Sequence, residues 1–144
     1  VAALTEVFRD VDVILHAGDI THLSLLEDLS AIAPVEAVCG NMDTEAARRL
    51  LPAKKVFSIE GISLGLIHGW GPPWGIRQRI RDSFEGVQVV VHGHTHQPFA
   101  GFEEAVYFFN PGSAKHSRMP GRGATCGILT VGDTVSGEIV DLRL

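Results

Sequence analysis

The chain has 144 residues, 45% hydrophobic and 20% charged, with a formal net charge of −5 at pH 7. This is the make-up of one ordinary globular domain, and the acidic balance excludes non-specific attraction to nucleic-acid backbone. The apolar runs are too short to span a bilayer, no secretory pattern is visible, and the 2 cysteines, Cys39 and Cys126, make no disulfide framework, so a reduced, cytoplasmic setting is expected.

In chain order, Leu4, Val7 and Phe8 recur at three-and-four spacing and predict an amphipathic helix over 2–9. No cap or turn signal precedes it, so the chain enters as though mid-fold. Residues 11–16 are a short, β-branched apolar run, which predicts a buried, parallel strand, and it ends at Ala17-Gly18-Asp19. Leucines at helical spacing predict a helix over 23–32, stopped by Pro34. A strand over 35–38 ends at Gly40-Asn41-Met42-Asp43. Thr44 then caps a helix over 45–50, closed by Pro52. Residues 55–59 and 62–67 form a hairpin about Glu60-Gly61, whose second strand ends at His68-Gly69-Trp70. After a Gly-Pro-Pro loop come a helix over 75–84 and a valine-rich strand over 87–91, which ends at His92-Gly93-His94-Thr95-His96. From Phe99 onward three or four strands follow, with turns at Glu103-Glu104, Asn110-Pro111-Gly112, Gly132-Asp133 and Gly137. No repeat, low-complexity tract or linker interrupts this, so residues 1–144 read as a single domain. Strands alternating with helices, then a strand-rich tail, predict two sheets packed face to face with helices outside.

Ligands in such folds gather beyond the carboxyl ends of the strands. Four predicted strands end in a polar residue beside glycine: Gly18-Asp19, Gly40-Asn41, His68-Gly69 and Gly93-His94-Thr95-His96. Any one of these is an ordinary turn; glycine permits the sharp exit that exposes the next side chain. Together they supply a carboxylate, an amide and three imidazoles, and residues two apart on extended chain face one way, so His94 and His96 are expected to converge. A mixed oxygen and nitrogen set suits Mn²⁺, Fe or Zn²⁺ better than Ca²⁺ or Mg²⁺.

This ordered series resembles the calcineurin-like metallophosphoesterases, and Asn110-Pro111-Gly112-Ser113 resembles their small microbial phosphodiesterase branch. The resemblance implies an αββα sandwich holding two divalent metal ions, manganese first, with zinc, iron or nickel as alternatives. It implies that Asp19 bridges both ions, that Asn41, His68 and His94 complete one site, and that His96 belongs to the other. Asp19, Asn41 and His68 become the expected catalytic residues, and the reaction implied is hydrolysis of a phosphodiester by a hydroxide shared between the ions. The family opens with a strand ending in Asp-x-His ahead of a helix like that over 2–9, and this chain carries no such motif. That strand would lie centrally in its sheet, and losing its buried side chains, at about 1.5–3 kcal/mol each, rivals a typical stability of about 5–15 kcal/mol. An N-terminal segment missing from this sequence is therefore expected, and only the site of Asp19, Asn41, His68 and His94 is complete as written. Family members that cleave monoesters well carry histidine after Gly-Asn; Met42 stands there instead and cannot move a proton, which favours diesters or activated esters. The expected substrate is a small, nucleotide-like phosphoester, with homo-oligomerisation left open.

Several residues carry weaker claims. His22 and His116 lie in predicted loops and are candidates to protonate a leaving group, against the plainer reading of surface histidines. Lys115, His116 and Arg118 either approach a substrate phosphate or line a solvated loop. His16 reads as a strand-end histidine bonded to backbone, or as support for a ligand. His92 reads as packed support rather than a direct ligand. Trp70 and Trp74 either stack on a base or, more commonly, pack under the loop or contact a protein. Arg77, Arg79 and Arg81 read as solvated helix surface, and Cys39 and Cys126 as small core residues. The alternative to an enzyme is a non-catalytic protein-binding scaffold of the same fold with a degenerate metal pocket, as in the retromer subunit. A metallo-β-lactamase-type hydrolase fails on residues: it wants Asp-His soon after H-x-H, and Gln97-Pro98-Phe99 follows His96.

Overall fold

A computed structural model describes residues 2–19, 23–40, 43–114 and 124–142. The element order is α1 (Ala2–Val7), β1 (Ile14–His16), α2 (Ser24–Ser30), β2 (Val35–Ala37), α3 (Glu45–Leu50), β3 (Lys54–Ile59), β4 (Ile62–Ile67), α4 (Ile76–Arg81), β5 (Val89–Val91), β6 (Phe99–Glu103), β7 (Val106–Asn110), β8 (Ala124–Val131) and β9 (Val135–Leu142). Every predicted element forms, mostly shorter than its periodic stretch. One turn is misplaced: Gly137 lies inside β9, opposite Leu129, and causes no break. It tolerates that position because an added Cβ would stand 2.6 Å from the Phe109 ring; the glycine makes room for an aromatic rather than a turn. The Thr44 cap is as expected, its hydroxyl accepting from Ala47 N–H at 3.2 Å, and the Glu60-Gly61 turn has both residues at positive φ, 50° and 79°, as a two-residue hairpin needs.

The larger sheet has the order β3-β4-β5-β7-β6, with β4, β5 and β7 parallel and antiparallel strands at both edges. The valines of β5 alternate as the pleat requires. Val89 and Val91 join Leu64, Leu66, Tyr107 and Phe109 in a core between sheets, to which Leu15, Leu129 and Ile139 contribute. Val90 faces the other way, onto Ile76 and Ile80 of α4. Opposite the large sheet lie two pairs, β1-β2 parallel and β8-β9 antiparallel. Outside these, α2 packs through Leu25 and Leu29 on Ile14 and Val35, and α1 with the turn that follows it packs through Leu4, Val7 and Phe8 on Ala124, Cys126 and Leu142. The layers are thus helix, sheet, divided sheet, helices: the expected αββα sandwich, with its second sheet in two halves.

The division has a backbone signature. Ile14 N–H donates to the Pro34 carbonyl (2.8 Å) and the His16 carbonyl accepts from Val38 N–H (3.1 Å), so the main-chain groups of Leu15 point away from β2. Thr125 N–H donates to the Ser113 carbonyl (2.8 Å) and Gly137 N–H to the Tyr107 hydroxyl (2.7 Å), which places Gly127, Leu129 and Val131 with their main-chain groups turned outward from β9. Both edges border one cavity of about 1240 Å³, which Leu4, Phe8, Leu64, Val91 and Phe109 also line. This cavity lies between the two halves of the divided sheet. No helix among the described residues is long and apolar enough to cross a membrane.

Candidate metal centre

The carboxyl ends of β1, β2, β4, β5 and β7 all point to one edge of the sandwich, and the residues just past them make the site. Beyond β1, Gly18 N–H donates to His16 Nδ1 at 3.1 Å, the backbone-bonded role expected of that histidine. Gly18 (φ 104°) and Asp19 (φ 59°) then turn sharply. Beyond β2, Gly40 N–H donates to Asp43 Oδ2 at 2.7 Å. The two turns touch without side chains between them: a Cβ on Gly18 would lie 2.8 Å from Gly40 N, and one on Gly40 only 2.6 Å from Asp19 Oδ1. Both glycines are therefore required by close approach, which presses the Asp19 carboxylate against the neighbouring turn.

Beyond β4, His68 is buried, 5% exposed, and its Nδ1–H donates to the Ala17 carbonyl at 2.8 Å. A carbonyl can only accept, so the lone pair is left on Nε2, which lies 3.4 Å from Asp19 Oδ2. Beyond β5, His94 stands edge-on to His68 with ring centroids 5.2 Å apart. Its Nε2 contacts the Gly71 carbonyl at 2.9 Å. His96 Nε2 lies 4.0 Å from the same Asp19 Oδ2. The expectation that His94 and His96 converge because they lie on extended chain is corrected here. Both follow the end of β5 and adopt φ of 73° and 59°, left-handed conformations that non-glycine residues seldom take and that concentrate at functional sites. Convergence comes from this strained loop, not from the strand's two-residue period.

The donor set fits a divalent cation. Among the described residues, Asp19 Oδ1 and His68 Nε2 are buried side-chain atoms without a hydrogen-bond partner, a costly state unless a further group completes them. Two ligands each about 2.1 Å from one ion lie roughly 3.0–3.4 Å apart, which matches the 3.4 Å between His68 Nε2 and Asp19 Oδ2. One carboxylate oxygen thus has an imidazole nitrogen at 3.4 Å and a second at 4.0 Å. Among the described residues no three His, Cys, Asp or Glu side chains close on a single point. His96 Nε2 stands farther from Asp19 than His68 Nε2 does, and Asn41 lies outside the described residues. His22, Met42, Lys115, His116 and Arg118 also lie outside them.

His92 is 1% exposed and packs edge-on to Phe108. Burial, reinforced by the positive charge of Arg77, lowers its pKa from 6.5 to about 4 against a smaller opposing bond to the Gly93 carbonyl, so it is held neutral behind the site. Both thiols are free, Cys39 part-buried and Cys126 buried, and burial raises the Cys126 pKa. Trp70 and Trp74 are exposed, 39% and 78%, so neither packs under its loop. The arginines of α4 are not simply solvated, a correction to their amphipathic reading. Arg77 binds Glu103 and lies 4.0 Å over the Phe99 ring, Arg81 binds Glu104, and Arg79 binds loop carbonyls. The partners of Arg77 and Arg81 are distant in sequence and those of Arg79 lie in the loop before the helix, and helical spacing shows neither.

Two positioning residues were not predicted. Asn110, 1% exposed at the end of β7, donates to the Gly93 carbonyl (3.3 Å) and Thr95 Oγ1 (3.1 Å) and accepts from Gly112 N–H (2.9 Å), so one amide holds the loop bearing His94 and His96. Asp43 closes the Gly40 turn; its three-residue spacing was the available signal.

Residues 1–134 match the family model described as the calcineurin-like phosphoesterase superfamily domain. The chain is 44% identical over 119 residues to a probable metallophosphoesterase of Methanothermobacter thermautotrophicus, covering 81% of this chain and 69% of that protein. It is 39% identical over 121 residues to a probable metallophosphoesterase of Methanocaldococcus jannaschii, covering 82% of this chain and 61% of that one, less than two thirds of its length. In three dimensions it resembles vacuolar protein sorting 29 of Cryptosporidium parvum, with a TM-score of 0.81 at 23% identity, over 99% of this chain and 82% of that one. With the family model spanning nearly its whole length, and Asp19, His68, His94 and His96 following strand ends at one edge, the chain belongs to the calcineurin-like phosphoesterase superfamily.

Proposed function

We propose that the protein is a metal-dependent phosphoesterase acting on phosphodiesters. In this reading Asp19, Asn41, His68 and His94 hold one divalent ion, and Asp19 bridges to a second that His96 serves. Manganese is the favoured ion, with zinc, iron and nickel as the others. The observation that carries the reading is Asp19 Oδ2 with His68 Nε2 at 3.4 Å and His96 Nε2 at 4.0 Å from it. When bound, such ions lower the pKa of water and offset charge on phosphoryl oxygens.

The chain's own residues prepare the site. Ala17 fixes the His68 tautomer so that its lone pair faces Asp19, Asn110 braces the histidine loop, and neutral His92 adds no charge to repel cations. Met42 offers no proton, which supports diesters over monoesters with poor leaving groups. His22, Lys115 and His116 remain the proposed substrate contacts. The exposed faces of Trp70 and Trp74, on the loop whose Gly71 carbonyl meets His94, suit the base of a nucleotide-like ester. Full-length protein supplied with Mn²⁺ should hydrolyse bis(p-nitrophenyl) phosphate faster than the monoester. Full activity in Asp19→Ala or His94→Ala would end this reading in favour of the partner-binding scaffold, which the likeness to vacuolar protein sorting 29 in fold keeps as the second reading.

A further inference from the structure

Arg79 sits in the last turn of α4, part-buried, and its guanidinium reaches back across the loop that leaves β4. Its Nε and Nη2 donate to the Trp70 carbonyl at 2.9 and 2.7 Å, Nη2 donates to the Pro72 carbonyl at 2.6 Å, and Nη1 reaches the Trp74 carbonyl at 3.5 Å. One planar cation thus gathers three carbonyls of a five-residue stretch, which a lysine could not do with a single ammonium. Gly71, inside this clamp, has φ of 80°, and a Cβ there would lie 3.0–3.2 Å from the guanidinium, so the absent side chain is what lets the arginine lie flat against the loop. Of the two carbonyls left, that of Pro73 accepts from Ile76 N–H at 3.3 Å, and that of Gly71 meets His94 Nε2 at 2.9 Å. Because that oxygen can only accept, Nε2 carries the hydrogen and the lone pair of His94 is on Nδ1.

We propose that Arg79 is a positioning residue of the metal centre: it fixes the Gly71 carbonyl, which in turn sets the tautomer and orientation of His94 so that Nδ1 is its metal-donating atom. The inference rests on the metal-centre reading above. Groups that orient a ligating histidine through its second nitrogen typically govern metal affinity about 10–100-fold. The exposed tryptophans then owe their fixed backbone to the same clamp that sets the ligand.

The test uses the whole chain with Mn²⁺ as the probe. Wild type, Arg79→Met, Arg79→Lys, Gly71→Ala and the control Arg77→Met are first compared by thermal melting. Mn²⁺ affinity is then measured by calorimetry, and the His94 tautomer is read in metal-free protein at pH 8 from imidazole nitrogen NMR shifts. Wild type and Arg77→Met should show the Nε2–H form. Arg79→Met and Gly71→Ala, which attack the clamp from opposite sides, should mix the tautomers and bind Mn²⁺ about ten-fold or more weakly, with Arg79→Lys between. Folded Arg79→Met and Gly71→Ala proteins with wild-type affinity and an unchanged Nε2–H form would overturn the positioning role. A wild type that binds no Mn²⁺ yet keeps the Nε2–H form would instead overturn the metal-centre reading, taking the assignment of Nδ1 as donor with it.

Discussion

Asn110 is the residue whose removal tests the architecture of the site most sharply. Its amide is buried and makes three hydrogen bonds, to the Gly93 carbonyl, Thr95 Oγ1 and Gly112 N–H. Asn110→Ala removes all three and strands the Gly112 N–H in part-buried surroundings, while the Gly93 carbonyl keeps Thr95 N–H at 2.9 Å. At about 1–3 kcal/mol for a buried group left without a partner, the cost is a sizeable share of a stability of about 5–15 kcal/mol. Asn110→Asp separates the two halves of the role. It keeps an oxygen for Gly112 N–H but turns a carboxylate oxygen toward the Gly93 carbonyl, so the histidine loop is repelled while the Gly112 turn survives. Urea unfolding of metal-free protein reads the first effect and Mn²⁺ calorimetry the second. Asn110→Ala should unfold at clearly lower urea, and Asn110→Asp should lose Mn²⁺ affinity out of proportion to its stability. A destabilisation below about 0.5 kcal/mol in Asn110→Ala, with Mn²⁺ affinity intact in both variants, would refute the claim that this amide supports the loop of His94 and His96.

Two further outcomes follow from the same geometry. Gly40→Ala places a Cβ 2.6 Å from Asp19 Oδ1 and 3.0 Å from His68 Cγ, so it should weaken Mn²⁺ binding ten-fold or more, by the scale of roughly 10–100-fold for disturbed ligand support. Gly132→Ala, which meets nothing within 4 Å, should leave binding unchanged; equal behaviour of the two would contradict the close packing of the turns. His92, with its pKa lowered to about 4, refuses a proton that the unfolded chain accepts below about pH 6.5. Its contribution is therefore whole above pH 6.5 and is lost as pH falls toward 4, to the extent of about 2 kcal/mol between pH 7.5 and pH 5. Urea unfolding of metal-free His92→Gln should show that much less pH dependence than wild type; identical slopes would remove His92 as the cause.

The features most legible in the sequence were those carried by local pattern. Glycine beside a polar residue at strand ends marked Asp19, His68, His94 and His96 because a parallel strand delivers its last residue to a common edge, whatever its neighbours are. The Glu60-Gly61 hairpin and the Thr44 cap were readable for the same reason. Long-range relations were not. Helical spacing assigned Arg79 to solvent because it cannot show that a loop folds back over α4. The two-residue period of β5 suggested how His94 and His96 converge but could not foresee left-handed backbone in the loop beyond it. Asn110 looked like turn punctuation, and only the closeness of β5 and β7 turns its amide into a brace. The divided sheet lies outside local pattern too: nothing in the spacing of 11–16 or of the C-terminal strands shows that β1-β2 and β8-β9 stand as separate pairs.

The most direct measurement is hydrolysis of bis(p-nitrophenyl) phosphate by full-length protein, assayed after chelation, after Mn²⁺ is restored, and in Asp19→Ala. A carboxylate shared between cations predicts that chelation abolishes turnover, that Mn²⁺ restores it, and that Asp19→Ala stays at background with or without the metal. Turnover that survives chelation, or an Asp19→Ala protein as active as wild type, would contradict it.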